Sequence, residues 1–133
     1  MVRKIALSIF GLLALLAFSS PSQAQYGRMV MLGDAHVDGN VDHDSIHVGR
    51  HDGTFRAIQL RVRGGDIRFD RIVVRFGNGT QEQLSIRSIV PSGSATRIID
   101  LPGDRRRTIE SVDLWYEKAS WSHRPEVKLF GVL

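Results

Sequence analysis

Histidine and aspartate side chains crowd one short segment of this 133-residue chain. Residues 34–52 contain four of the five histidines, together with several aspartates and one asparagine. Four of these residues place oxygen atoms at alternate positions, as calcium-binding loops do: Asp38, Asn40, Asp42 and Asp44. The segment departs from the EF-hand pattern, because its sixth position is His43 rather than glycine and its twelfth is Gly49 rather than glutamate.

The same segment also offers imidazole nitrogens to a softer metal. In an extended strand His43 and His47 share a face, so their imidazoles could converge on zinc or copper. The alternative interpretation is a solvated polar loop whose aspartates accept hydrogen bonds from turns. Since histidine gains charge between pH 7 and 5, the sequence also predicts a pH-sensitive segment. The candidate metal ligands are His36, Asp38, Asn40, Asp42, His43, Asp44, His47 and His51.

A second group of residues suits an organic ligand. Trp115 alternates with apolar neighbours and is predicted to face outward, and Trp121 follows in a polar stretch. Exposed indoles stack on the apolar face of a sugar, and guanidinium forks suit carboxylates and phosphates. These residues could therefore bind a glycan or an anionic surface, while the commoner arrangements of such residues are a Trp115 packed under a loop and arginines on a solvated face. The candidate ligand-binding residues are Trp115, Trp121, Arg61, Arg63 and Arg75, with Arg68 and Arg87 in the same outward row.

Enzymatic signatures are absent from the sequence. It contains no Gly-x-Ser-x-Gly elbow, no HExxH, no P-loop and no dinucleotide fingerprint. A small β-domain also offers little room for a deep pocket that excludes water. The absence of cysteine excludes a disulfide framework, a thiolate site and a lipoprotein anchor. We therefore expect a non-enzymatic protein without a cofactor, apart from the possible calcium, zinc or copper ion.

The N-terminus predicts export. Arg3 and Lys4 precede a 14-residue apolar run, and small residues at positions 22 and 24 match a signal-peptidase site. The run is too short to span a bilayer, which takes about 20 residues. We expect a signal peptide at residues 1–24 and one soluble domain at 25–133, periplasmic or secreted. Losing Arg3 and Lys4 lowers the net charge from +4 to +2, which disfavours nucleic acid as a partner.

The sequence predicts an all-β domain. Short segments alternate apolar and polar residues between glycine and proline turns, which is typical of about eight antiparallel strands in a jelly-roll-like sandwich, with a β-prism as the alternative. Parity breaks predict bulges at residues 70–71 and 110–111. A three-residue loop at 77–79 is predicted, because only that loop keeps Ile72 opposite Leu84. Turns are predicted at 64–65 and 102–104, and a loop through Trp121 ends at Pro125.

Several short stretches together resemble a known family. They are Leu32-Gly33, Asp44-x-Ile46-x-Val48, Arg56-x-Ile58-Gln59-Leu60, Asn78-Gly79 followed by Leu84-x-Ile86, Gly93-x-x-Thr96, Ile99-x-Leu101 and Val127-x-Leu129-x-Gly131. The pattern is similar to the YaaI-like small secreted bacterial proteins, a domain-of-unknown-function family. A weaker resemblance to jacalin-type lectins implies a β-prism and carbohydrate binding. The YaaI-like resemblance depends on core and turn positions, so it implies a fold and assigns no activity.

Overall fold

The computed structural model describes residues 27–37, 41–86 and 88–133. The predicted signal peptide therefore lies outside the described residues. These described residues form eight strands: β1 (Met29–His36), β2 (Val41–His47), β3 (Thr54–Phe55), β4 (Ala57–Phe76), β5 (Gln81–Leu84), β6 (Ser88–Val90), β7 (Ile99–Asp100) and β8 (Arg107–Val132). A short 3₁₀ turn at Arg50–Asp52 precedes β3. None of the described residues forms a helix long and apolar enough to cross a bilayer.

Two long strands form the centre of the sheet. β4 and β8 pair antiparallel along their whole length, from Ala57 opposite Val132 to Phe76 opposite Ile109. β1 and β2 pair with the other edge of β8, whereas β5, β6 and β7 pair with the other edge of β4. The resulting antiparallel sheet curves until it nearly closes like a barrel. The prediction of a small antiparallel all-β domain is confirmed.

Most of the local features predicted from strand parity are also present. The pairing of β4 with β8 skips one residue of β4 between Phe69 and Arg71. It skips one residue of β8 where Arg75 pairs with Ser111 and Phe76 with Ile109. Both predicted bulges are therefore present. Ile72 pairs with Leu84, so the hairpin has the predicted three-residue loop, with Gly79 at φ +89°. Each bulge inserts one residue and thereby returns the following apolar side chains to the inner face.

Two predicted breaks in the chain were wrong. The glycines at 64–65 do not turn the chain, because β4 continues through them with a register shift between Arg63 and Gly65. The predicted loop through Trp121 is instead part of β8. Gly64 adopts φ +88°, and a Cβ there would lie 3.0 Å from the carbonyl oxygen of Arg124. These glycines therefore provide a bulge where two backbones approach closely, rather than a hairpin turn.

A single hydrophobic cluster fills the space that the curved sheet encloses. Both halves of the β4–β8 pair contribute fully buried side chains to it, including Leu60, Phe69, Leu114 and Leu129. Alternate residues of the same strands must then face solvent. Burial of the inner face thus sets the register of the central strands. That register in turn sets the positions of the polar side chains on the outer face.

Candidate functional site

The outer face of β1, β8 and β4 carries a regular array of side chains. Cross-strand pairing sets three rows, each with one residue from β1, one from β8 and one from β4. The rows are Met31, Phe130 and Gln59, then Asp34, Lys128 and Arg61, then His36, Glu126 and Arg63. The β4 side of this array carries two arginines, whereas the β1 side carries a carboxylate and an imidazole.

An open groove of about 530 Å³ lies on the β4 side of the array. Its walls are the outward side chains of β4 and β8 and the loop at residues 93–95. This loop is held to the edge of β4, because the Gly93 N–H donates to the Val62 carbonyl at 2.8 Å and the Val62 N–H donates to the Ser94 carbonyl at 2.9 Å. The polar and aromatic side chains that line the groove are Gln59, Arg61, Arg63, Ser94, Lys128 and Phe130.

Arg61 is the best positioned cation of the groove. Its guanidinium carbon lies 4.2 Å from the centre of the Phe130 ring, and its Nε donates to Gln59 Oε1 at 3.2 Å. Gln59 is itself fixed, since its amide donates to the Thr96 carbonyl at 3.0 Å. One terminal nitrogen of Arg61 contacts Met29 Sδ at 3.2 Å. In the described part of the chain no carboxylate pairs with Arg61, so this exposed guanidinium is oriented by its neighbours without being neutralised.

Glu126 joins the two sides of the array. Its Oε1 accepts from Arg63 Nε at 2.8 Å and lies 4.0 Å from Lys128 Nζ, while its Oε2 lies 3.7 Å from His36 Nε2. Burial alone would raise the pKa of Glu126, but the Arg63 hydrogen bond and charge and the charge of Lys128 outweigh burial and lower it. Glu126 is therefore ionised at neutral pH. Asp34, His36 and Glu126 bring three possible ligand atoms within 4.8 Å of one another.

Trp115 lies on the outer face of the other half of the sheet, between two partners from neighbouring strands. The His43 imidazole stacks on it with a centroid separation of 4.3 Å and an interplanar angle of 8°. The Arg71 guanidinium carbon lies 3.8 Å from the ring centre. The backbone register sets this arrangement, because Trp115 pairs with both His43 and Arg71. Intrastrand parity correctly predicted an outward Trp115, and its ring contacts both His43 and Arg71.

Among the described residues, the candidate metal ligands on β2 and in the 3₁₀ turn do not form a cluster. His43 and His47 share the outer face of β2, but four residues of strand separate their backbones by about 13 Å. His43 Nε2 lies 3.4 Å from Asp113 Oδ1 instead. Asp44 points to the inner side and accepts a hydrogen bond from the buried Tyr116 hydroxyl. His51 is exposed in the 3₁₀ turn.

The remaining candidates fall in different places. His36 belongs to the cluster with Asp34 and Glu126. Asp38, Asn40 and Arg87, together with the side chains of Asp42 and Trp121, lie outside the described residues. Arg75 and Arg68 occupy the other half of β4, where Arg75 pairs with Ser111 and Gln81, and Arg68 lies 4.0 Å from Glu117. Of the candidate ligand-binding residues whose side chains the structure describes, Arg61 and Arg63 line the groove.

Sequence reasoning missed four residues of this surface. They are Gln59, Glu126, Lys128 and Phe130, none of which was among the candidate ligand-binding residues. The signal was present in the last strand, where the apolar residues Val127 and Leu129 alternate with Glu126, Lys128 and Phe130. If the first two point inward, the other three must point outward. The alternation of residues along one strand does not predict which strand pairs with it, and that pairing determines which side chains come into contact.

Comparison with known proteins identifies the family and supports the fold. The model of a family described as "Domain of unknown function (DUF2541)" matches residues 9–131. No curated protein matches the chain. Among solved structures, AlgX of Pseudomonas aeruginosa is similar, with a TM-score of 0.51, 11% identity and coverage of 77% of this chain. The match spans 26% of the AlgX chain, so it shows a shared fold alone.

Proposed function

This chain belongs to the DUF2541 family, a domain of unknown function, and we propose that it is an exported, non-enzymatic domain that binds an acidic oligosaccharide. The proposed binding site is the groove on the β4 side of the array. The observation that carries the proposal is Arg61, an exposed guanidinium that is oriented by Phe130 and Gln59 and has no carboxylate partner among the described residues.

The charges around Arg61 favour an anion. Arg63 and Lys128 line the same groove, and the carboxylate nearest to them, Glu126, is already engaged with both. A guanidinium offers five N–H donors in a planar fork, and the protein uses only part of that set in Arg61. A carboxylate or sulfate on a ligand would add a charge-assisted bond to the free donors without requiring Arg61 to reorient.

The other lining groups favour a sugar as the carrier of that anion. Phe130 supplies apolar ring surface beside the Arg61 guanidinium, and Ser94 supplies a hydroxyl. Sugars combine an apolar face with hydroxyl groups, which matches a mixed surface of this kind. The groove is open, so it suits a sugar chain that lies across the surface. An open groove does not exclude water, whereas enzymes that protect reactive intermediates from hydrolysis generally close their active sites to water.

Export is part of the proposal. The signal-like residues 1–24 and the resemblance to YaaI-like secreted proteins support a periplasmic or secreted location, where acidic polysaccharides are accessible. Expression with the native N-terminus and an intact-mass measurement test this step. We expect the extracytoplasmic fraction to contain a chain that begins at Gln25. Recovery of the uncleaved chain in the cytoplasm would contradict export.

Ligand binding is tested with a matched pair of sugars. A hexamer of galacturonic acid carries six carboxylates, and its methyl ester keeps the ring geometry without the charges. We expect calorimetric titration to show binding of the acid alone, weakening as salt is added because exposed charges are screened. Equal binding of the acid and its methyl ester would overturn the proposal. So would a protein that binds anionic lipid vesicles but neither of the two sugars.

Two arginine variants localise the site. Arg61→Ala removes the oriented guanidinium, and loss of a hydrogen bond to a charged group costs about 1.5–3 kcal/mol, or roughly 10- to 150-fold in affinity. Arg75→Ala removes the same charge from the outer face of the same strand, outside the groove. We expect it to change affinity by less than about twofold. Equal losses in the two variants would show a general charge effect and no defined site.

A further inference from the structure

We propose that Asp34, His36 and Glu126 form a binding site for a transition-metal dication of the zinc or copper type. The three residues come from two paired strands, with Asp34 and His36 two positions apart on β1 and Glu126 opposite His36 on β8. Side chains at such positions share one face of the sheet. Their three ligand atoms already lie within 4.8 Å of one another.

Glu126 is oriented toward the other two ligands by its own partners. Arg63 Nε holds Oε1 at 2.8 Å, which leaves Oε2 on the side of His36, 3.7 Å from its Nε2. Hydrogen bonding of the second oxygen of a ligating carboxylate is a regular feature of metal sites, because it fixes the direction of the first. Arg63 would thus act as a positioning residue for the metal ligand, and it distinguishes this cluster from a chance grouping of exposed acids.

The spacing requires only a small adjustment. Two ligands of one tetrahedral zinc ion lie about 3.3 Å apart, given metal–ligand bonds of about 2.0–2.2 Å. The separation of His36 Nε2 from Glu126 Oε2 is within 0.4 Å of that value. The side chain of His36 is 53% exposed and Asp34 is exposed, so both can rotate without disturbing the core. Glu126, the least mobile of the three, is already in place.

The donor set selects the class of ion. One imidazole nitrogen with two carboxylate oxygens suits zinc and copper, whereas calcium and magnesium favour oxygen alone. Three protein ligands leave at least one position for water or for a donor from another molecule. The positive charges of Arg63 and Lys128 nearby oppose binding, so we expect an exchangeable ion rather than a permanently held one.

This site lies beside the sugar groove, and it shares only His36 with the metal site that the sequence suggested. The groove lies on the β4 side of the array, and its Arg61 contributes nothing to the cluster. The sequence pattern placed the imidazoles of His43 and His47 at the centre, and both lie on β2. Histidine variants therefore separate the two metal hypotheses, and Arg61→Ala separates the metal site from the proposed function.

The test is calorimetric titration of untagged, chelator-treated protein with Zn²⁺ and, separately, Cu²⁺. We expect one equivalent of ion to bind, with affinity at least about tenfold weaker in His36→Ala and in Asp34→Asn. Because both residues are exposed, neither variant should lower the melting temperature of the metal-free protein. We expect His51→Ala, the His43→Ala/His47→Ala double variant and Arg61→Ala to bind the ion as the parent does.

Two results would overturn the proposed metal site. Absence of binding in the parent protein would do so, and so would binding that survives His36→Ala but is lost in the His43→Ala/His47→Ala variant. Amide broadening by Cu²⁺ in NMR spectra provides a second readout. We expect it to centre on residues 34–36 and 126, and broadening centred on residues 43–47 would contradict the proposal.

Discussion

Replacing Gly131 by alanine tests how closely the buried ring of Phe55 packs on β8. A Cβ at position 131 would lie 2.6 Å from Cδ1 of Phe55 and 2.8 Å from Cγ and Cε1, whereas ordinary contacts are 3.4–4 Å. The ring must therefore retreat by about 0.8 Å, but it is fully buried and has core side chains behind it. Overpacking of a core costs about 1–3 kcal/mol, and three close ring atoms place this variant in the upper part of that range.

Thermal and denaturant unfolding measure the effect. For a domain of about this size, a loss of 2–3 kcal/mol lowers the melting temperature by roughly 8–12 °C. Gly49→Ala is the matched control, since the nearest atoms to its Cβ would be Asp52 Oδ2 at 3.6 Å and the His51 nitrogen at 3.9 Å. We expect that control to stay within about 0.5 kcal/mol of the parent.

A double variant identifies the cause of the loss. If the ring is the obstacle, Phe55→Leu should remove most of the cost of Gly131→Ala, so the two changes should be non-additive by about 1–2 kcal/mol. Strict additivity, or a Gly131→Ala variant as stable as Gly49→Ala, would refute the packing of Phe55 on Gly131.

Two further substitutions test local features of the fold. Tyr116→Phe removes the hydroxyl that donates to Asp44 from a fully buried ring, and urea unfolding should show a loss of about 1–2 kcal/mol, while an unchanged midpoint would contradict the bond. Gly79→Ala places a side chain at φ +89° with no heavy atom within 4 Å, so we expect a loss of about 1 kcal/mol from backbone strain alone. Gly79→Asn should recover part of that stability because asparagine tolerates this region, and failure to recover it would argue against the three-residue loop.

Strand parity predicted most of what lies within a strand or one hairpin. The inward residues of β4, both bulges and the three-residue loop follow from keeping apolar side chains on one face, which is a strong constraint on register. Parity did not predict that the chain continues through Gly64 and Gly65. Paired glycines indicate a turn locally, but pairing with β8 on the same stretch holds the strand together, and only the tertiary structure supplies that partner.

The candidate site was predictable only in part for the same reason. Arg61 and Arg63 were recognised because their outward direction depends on local alternation alone. Their meeting with Glu126, Lys128 and Phe130 depends on the pairing of β4 with β8. The paired residues are 63 positions apart for Arg63 and Glu126 and 71 for Gln59 and Phe130, so local sequence does not reveal the contact. His43 and His47 both lie on β2, but four positions of strand separate them, so these two residues do not approach each other.

The most direct test of the sugar groove is backbone-amide NMR of the protein titrated with the galacturonic acid hexamer. We predict that the largest shift changes fall on residues 59–63, 93–95 and 128–130, and that they disappear in Arg61→Ala while the Arg75→Ala spectrum responds as the parent does. Shift changes centred on Trp115 and its His43 and Arg71 partners, or no change at saturating hexamer, would contradict the assignment of the groove as the binding site.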